Sequence, residues 1–456
     1  MMKPTLVTAC LLIASNSAFA DGSLQQTVRE AVEGNPEVQA SWHQFLASGQ
    51  DVRAAESGYR PTVDVSARYG YDWQDADGRE NYDGADASIS LVQQLYDGFE
   101  TRNDVQRFSG LELVRYHELL SSVQQTALEA YQAYTDVIRR RELVDLAEEN
   151  LARHEEVYDK IIETVSAGIG RAADLEQISG RLALAKANLI TEQANLHDVK
   201  SRYLRIVGHL PANELEPFAL DESALPNSLD GILYRAYENN PAFHAAVRNI
   251  RAAESTVDYR KSAMKPRLNL TASYNTQTYD DIGRDNSQSD ARIGLEVRYN
   301  LYRGGQDQAV VREAYQQVNV AKNQRDQECR VLRQNIQVAY EDIQSINSQL
   351  PNLNQHRLSS ERVVAAYRDQ FDIGNRTLLD VLDAENEAFQ ASIAYVNAVH
   401  DKKIAVARTL AATGDWLATV GVMPEGIPTL NKLGADPLFI EGENACPSGT
   451  PGFRDY

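Results

Sequence analysis

Thr62-Val63-Asp64-Val65-Ser66-Ala67-Arg68-Tyr69-Gly70-Tyr71-Asp72-Trp73 alternates without a break. Val63, Val65, Ala67, Tyr69, Tyr71 and Trp73 fall on one side of an extended chain, and Thr62, Asp64, Ser66, Arg68, Gly70 and Asp72 on the other. A period of two marks a strand with one apolar face, because successive side chains point to opposite sides. The pattern returns at Arg267–Gln277, where Leu268, Leu270, Ala272 and Tyr274 alternate with Asn269, Thr271, Ser273 and Asn275. Two more strands are predicted at about 85–96, where Gln93 falls on the apolar side, and at 290–301, where Ala291, Ile293, Leu295, Val297, Tyr299 and Leu301 share a face. The joins Gln74–Gly84 and Thr278–Ser289 are rich in Asp, Gly and Asn and predict exposed loops.

These strands are the right length for a tilted membrane-spanning strand of about 9–11 residues. Charges lie on one face, as in a wet lumen, and aliphatics with Tyr and Trp near the ends lie on the other, as in an aromatic girdle. A soluble sheet with one wet face is the alternative. Four strands cannot close a barrel, and an open edge cannot sit in lipid, so closure needs several chains.

Working outward, the strands belong to a duplication. Asn35-Pro36 recurs as Asn240-Pro241 and Pro61 as Pro266; Leu95-Tyr96-Asp97-Gly98 recurs as Leu301-Tyr302-Arg303-Gly304. Gly168 with Asp174 recurs as Gly374 with Asp380, and Gly208 as Gly414. One offset, constant to a single residue, implies a repeated unit. The expected organisation is a signal peptide at 1–20, a first repeat at 21–208, a connector at 209–227 with Pro211, Pro217 and Pro226, a second repeat at 228–414, and an irregular tail at 415–456 that either wraps the helices or is disordered. The rest of each unit reads as long helices. Leu175, Ile178, Leu182, Ala185, Leu189, Leu196, Val199, Tyr203 and Ile206 keep the three-four spacing of a coiled-coil seam. Thr101 to about Thr164 contains no Pro, which gives a helix of roughly 95 Å. Pro351 is expected to interrupt and kink its counterpart.

Lys3, the apolar stretch Leu6–Ala14 and Ala18-Phe19-Ala20 read as a secretory signal cut before Asp21. The formal charge of −20, or −21 once Lys3 leaves, argues against nucleic acid. It fits either a solvated acidic surface or a cation-favouring lumen. Cys329 and Cys446 are far apart and define no disulfide framework or metal site. The histidines, among them His154, His197, His356 and His400, show no ligand spacing, and no catalytic or cofactor motif occurs. The chain is therefore read as no enzyme and as holding no cofactor.

Taken together, the repeated Asn-Pro, the Leu-Tyr-x-Gly junctions and Gly374-Asn375-Arg376-Thr377-Leu378-Leu379-Asp380-Val381-Leu382-Asp383-Ala384 resemble the TolC family of outer-membrane export channels over about Leu24–Gly414. The resemblance implies a mainly α fold with a membrane β-barrel: a duplicated helix–strand–strand–helix–helix unit, three copies of which make a 12-stranded barrel on a long α-helical periplasmic barrel. It implies a homotrimer in outer-membrane lipid, extending into the periplasm. Its partners would be a periplasmic adaptor and an inner-membrane ABC transporter or, alternatively, a proton-driven drug pump. The passage from Ala173 to Ala185, with Leu382–Glu387, is closer to the type I secretion branch, including exporters of large adhesins; multidrug efflux is the alternative, and a periplasmic coiled-coil scaffold the rival of another class.

By matching position, the family's periplasmic gate falls on Asp380 and Asp383 as ring acids and on Arg376 pairing with Asp174 of the neighbouring turn, with Gly168 and Gly374 as turn glycines. The bland reading of the two acids is that they complement a helix N-terminus. Phe371 stands where family members often carry a tyrosine, so a gating hydroxyl is missing there. Phe99 stands where the second unit has Gly305, which predicts that the two strand-to-helix junctions bend differently.

Overall fold

A computed structural model describes residues 22–73, 82–220, 222, 225–226, 228–281, 284–424, 426–438 and 446. The expected signal peptide and most of the Gln74–Gly84 join lie outside the described residues. The first unit comprises α1 (Leu24–Gly34), α2 (Pro36–Glu56), β1 (Thr62–Asp72), β2 (Tyr82–Tyr96), α3 (Glu100–Ser166) and α4 (Ala172–Val207). The second comprises α5 (Leu229–Asn239), α6 (Pro241–Ser262), β3 (Arg267–Asp281), β4 (Arg284–Arg298), α7 (Gln306–Asp372) and α8 (Leu378–Ala412), followed by α9 (Trp416–Val420).

The repeated Asn-Pro splits the leading helical stretch of each unit in two. Pro36 and Pro241 open their helices, where a missing N–H costs nothing, and Asn35 and Asn240 cap them by accepting from Glu37 N (2.9 Å) and Phe243 N (2.9 Å). Each Asn amide then donates to the end of the unit's last helix, Asn35 to the Ile206 carbonyl (3.4 Å) and Asn240 to the Ala412 carbonyl (3.1 Å). One residue thus starts one helix and fastens the end of another.

The four strands form one antiparallel sheet in the order β1-β2-β3-β4. Register keeps the faces pure. Val63, Leu91, Ala272 and Ile293 make one rung, and Asp64, Ser90, Ser273 and Arg292 make the next. Gln93, on the apolar side, lies at the strand's end, where its amide donates to the Tyr59 carbonyl (3.2 Å) just before the register shifts between Gln94 and Tyr96. The expected loop Thr278–Ser289 is largely strand, since β3 runs to Asp281 and β4 starts at Arg284. Polar composition marks exposure, and an exposed backbone with a partner alongside still extends the ladder.

At 67 residues, α3 and α7 are each about 100 Å long. Contrary to expectation, α7 continues through Pro351. Ser348 Oγ donates to the Gln344 carbonyl (3.0 Å) and the Asn352 amide to the Ser348 carbonyl (3.3 Å), bracing the turns beside the missing N–H. The junctions before α3 and α7 also bend alike: Gly98 and Phe99 have φ of 72° and 70°, Gly304 and Gly305 of 62° and 85°. Phe99 takes the left-handed conformation at a cost of about 1–2 kcal/mol. Asp97 offsets it by accepting from Glu100 N (3.1 Å) and Thr101 N (2.7 Å).

The helices form a wall. Near the sheet α2 packs on α3, α3 on α6 and α6 on α7; toward the far end α4 packs on α3, α3 on α8 and α8 on α7. α3 is central at both levels. One edge of the wall is β1, α2 and α4; the other is β4 and α7. Among the described residues, no helix is long and apolar enough to cross a membrane. Cys329 and Cys446, whose separation in the sequence leaves their pairing open, are disulfide-bonded, with Cα atoms 5.8 Å apart. The chain after α8 folds back onto α7, which two isolated cysteines in a sequence do not reveal. That tail is partly regular, beginning with α9.

Candidate functional site

The far end of the wall consists of two helical hairpins, α3–α4 and α7–α8. Both turns need a left-handed residue, supplied by Gly168 (φ 78°) and Gly374 (φ 75°), after which the chain reverses within a few residues. Between the hairpins lies an apolar plug. Val157, Ile161, Ile178, Leu378 and Leu382 are buried, and Phe371 packs against them with Tyr158, Val165 and Leu175. Without a hydroxyl, Phe371 contributes apolar surface that joins one hairpin to the other.

Both predicted ring acids have a partner within the chain. Thr377 and Asp380 form a reciprocal capping box at the start of α8: Asp380 N donates to Thr377 Oγ1 (3.3 Å), and Thr377 N donates to Asp380 Oδ2 (3.1 Å). The Thr377 hydroxyl also donates to the carboxylate (2.8 Å). These bonds, with Arg376 nearby, hold the Asp380 carboxyl below its ordinary range. The cap therefore stabilises α8 fully above that range, near pH 4, and its contribution is lost as pH falls through the lowered pKa. Thr377→Ala should cost about 1 kcal/mol, read as a lower melting temperature. That deficit should shrink in acid, where the Asp380 carboxyl is protonated and its half of the box weakens while the Asp380 N–Thr377 Oγ1 bond remains. An equal deficit at pH 7 and below the lowered carboxyl pKa would count against it.

Asp383 meets Arg181 of α4 at 2.7 Å. Arg376 lies over the Tyr367 ring (4.2 Å), donates to Gln370 Oε1 (2.9 Å) and is 4.0 Å from Asp380. Asp174 sits in the first turn of α4, where the helix dipole favours it. Among the described residues no ion pair joins Arg376 to Asp174 within one chain.

One feature escapes the sequence reading. Glu385 of α8 is 2% exposed and holds two arginines from two other helices, Arg368 of α7 at 2.6 Å and Arg153 of α3 at 3.4 Å. Arg368 also reaches Glu156 (3.8 Å), and Lys160 approaches Asp372 (3.9 Å). Lys160 beside Glu156 holds that carboxyl below its usual range. The signal was available: Leu378, Val381, Leu382, Glu385, Ala388 and Phe389 follow one seam, so Glu385 is an acid at a core position. Buried charge there is stable only because both arginines meet it, so the hairpins are tied by a lock that loses its worth once they separate. Chemically the tips can hold and release each other; among the described residues no group of side chains could hold a metal ion.

The sequence model described as "Outer membrane efflux protein" matches residues 27–209 and 232–415. The chain is 27% identical to outer membrane efflux protein BepC of Brucella suis biovar 1 over 420 residues, covering 91% of each. It is 24% identical to alkaline protease secretion protein AprF of Pseudomonas aeruginosa over 420 residues, 88% of this chain and 86% of that one. The solved structure of the outer-membrane channel OprN superposes with a TM-score of 0.75 at 20% identity, over 87% of this chain and 91% of that one, a likeness of fold.

Proposed function

The chain belongs to the family of outer membrane efflux proteins, and from that premise we propose that it is the outer-membrane duct of a type I protein secretion system. It is an outer-membrane channel protomer reaching into the periplasm, a passive conduit and not an enzyme, and it works with an adaptor and an inner-membrane transporter. The finer reading is ours: the ring is a homotrimer, the pump is an ABC transporter, and the cargo is a protein such as a large adhesin.

The observation that carries the ring is the alignment of free edges. β4 and α7 on one edge face away from β1, α2 and α4 on the other, so copies join head to tail and a closed ring leaves no strand edge in lipid. Three copies give twelve strands. The same closure brings the α7–α8 turn beside the α4 of the next protomer, and we assign the Arg376–Asp174 link to that boundary. Asp380 and Asp383 then face the constriction, Asp380 held by Thr377 and Asp383 by Arg181 of its own chain, and the Glu385 lock ties the hairpins inside each protomer. A docking adaptor opens the tips by offering these groups other partners.

The secretion branch draws support from the similarity to AprF, whose name is that of a protease secretion protein; the similarity to BepC, whose name is that of an efflux protein, favours efflux as the second reading, with multidrug efflux its form here. Deleting the gene should abolish surface display of secreted adhesin and leave drug sensitivity unchanged. Loss of drug resistance with secretion intact would reverse the assignment.

A further inference from the structure

Trp416 of α9 is fully buried against Tyr131 of α3, with ring centroids 4.9 Å apart. Val420 and Val422 are buried in the same cluster, and Ile427, Leu430 and Leu433 pack on its rim. The chain then reaches α6, where Arg248 donates to the Asp436 carbonyl and Leu438 is buried. Beyond it Cys446 is bonded to Cys329 of α7. The two cysteines are 6% and 2% exposed, and Ile232, Tyr237, Phe243 and Ile336 surround them. One segment therefore touches α3, α6 and α7 in turn and ends covalently on the helix that forms the free edge of the wall.

We propose that this segment is a strap closed by thiol oxidation in the periplasm, and that it holds α7 on the α3–α6 wall in the position from which it mates with the next protomer. The mating clause rests on the ring reading above. The location supplies the chemistry: disulfides form and persist outside the cytoplasm. Closure removes two protons and two electrons from the Cys329 and Cys446 thiols. The acceptor is the disulfide of a periplasmic dithiol oxidant. One thiolate attacks it to give a mixed disulfide, the second displaces the oxidant as its dithiol, and both electrons leave with it. Both sulfurs are buried once the tail is seated, so oxidation accompanies docking, and the finished bond is shielded from exchange.

Two buried thiols merely packed as small hydrophobes would occupy the same space, and chemistry separates the cases. Outer membranes are dissolved in denaturant containing N-ethylmaleimide, so that any free thiol is exposed and labelled, and the full chain is digested without reductant. The proposal expects no label on either cysteine and a linked peptide containing both; label on both overturns it. Cys329→Ala, Cys446→Ala and the double variant should all expose the tail to protease at least tenfold faster. The double should be no worse than the singles, because each removes the same bond. Wild-type protein made in medium containing dithiothreitol should behave likewise, which covers the case in which a variant fails to fold. Unchanged tail cleavage in the double variant and in the reduced wild type overturns the strap. Ring dissociation on heating is read on the same samples. Faster tail cleavage with wild-type dissociation of the ring overturns the mating clause and leaves the covalent strap, whereas failure of wild-type protein to form any ring overturns the ring reading alone.

Discussion

Glu385→Ala is expected to leave the channel assembled with its tips loosened. Among the described residues this one carboxylate draws Arg153 of α3 and Arg368 of α7 onto one point of α8. Removing one partner of a buried ion pair costs about 3–5 kcal/mol, chiefly because the remaining charge is stranded. Here the arginine side chains are 42% and 31% exposed, regain water and keep Glu149 and Glu156 as partners, so the loss falls below that range, about 2 kcal/mol, chiefly the lost charged hydrogen bonds. That loss falls on the contact between hairpins, far from the sheet. Planar-bilayer conductance of the purified channel should rise several-fold, and cells should become sensitive to a bulky antibiotic normally kept out. Glu385→Gln, which keeps the volume and still accepts hydrogen bonds, should lie between. Unchanged conductance in Glu385→Ala, with assembly intact, would remove the lock from the gate.

Trp416→Ala should be the most damaging single change outside the tips. The indole is fully buried in the largest cluster, which joins α1, α3, α4, α8 and the tail. Truncating a buried Trp costs about 3–5 kcal/mol through lost burial and the cavity left behind. Among the described residues the indole N–H has no hydrogen-bond partner. Trp416→Phe should therefore be tolerated within about 1.5 kcal/mol, because it keeps most of the ring and removes an orphaned donor. Thermal unfolding in detergent reads both. If Trp416→Ala melts with the wild type, α9 does not anchor the tail.

Patterns that repeat along the chain were legible. The alternation at Val63–Trp73 named the apolar face, and the seam from Leu175 to Ile206 named a long helix. Where the pattern misled, local composition stood in for geometry. Asp, Gly and Asn suggested a loop at Thr278–Ser289, although neighbouring strands go on pairing there. Phe99 suggested a different bend, although a phenylalanine can be held left-handed when Asp97 satisfies the amides that follow. Glu385 was visible as an acid on an apolar seam, yet charged helices offer many carboxylates, and only the packing of α8 against α3 and α7 distinguishes it.

What the sequence by itself determined is therefore periodic and local: a duplication, strands with one apolar face, helices about 100 Å long, and turns at Gly168 and Gly374, since each follows from how neighbouring residues project from one backbone. The tertiary structure decided which distant groups meet. Arg181 finds Asp383, Glu385 gathers Arg153 and Arg368, and Cys446 returns to Cys329. Those pairings depend on the order in which helices stand side by side, and that order is set by burial summed over the whole wall, which no single stretch of chain encodes.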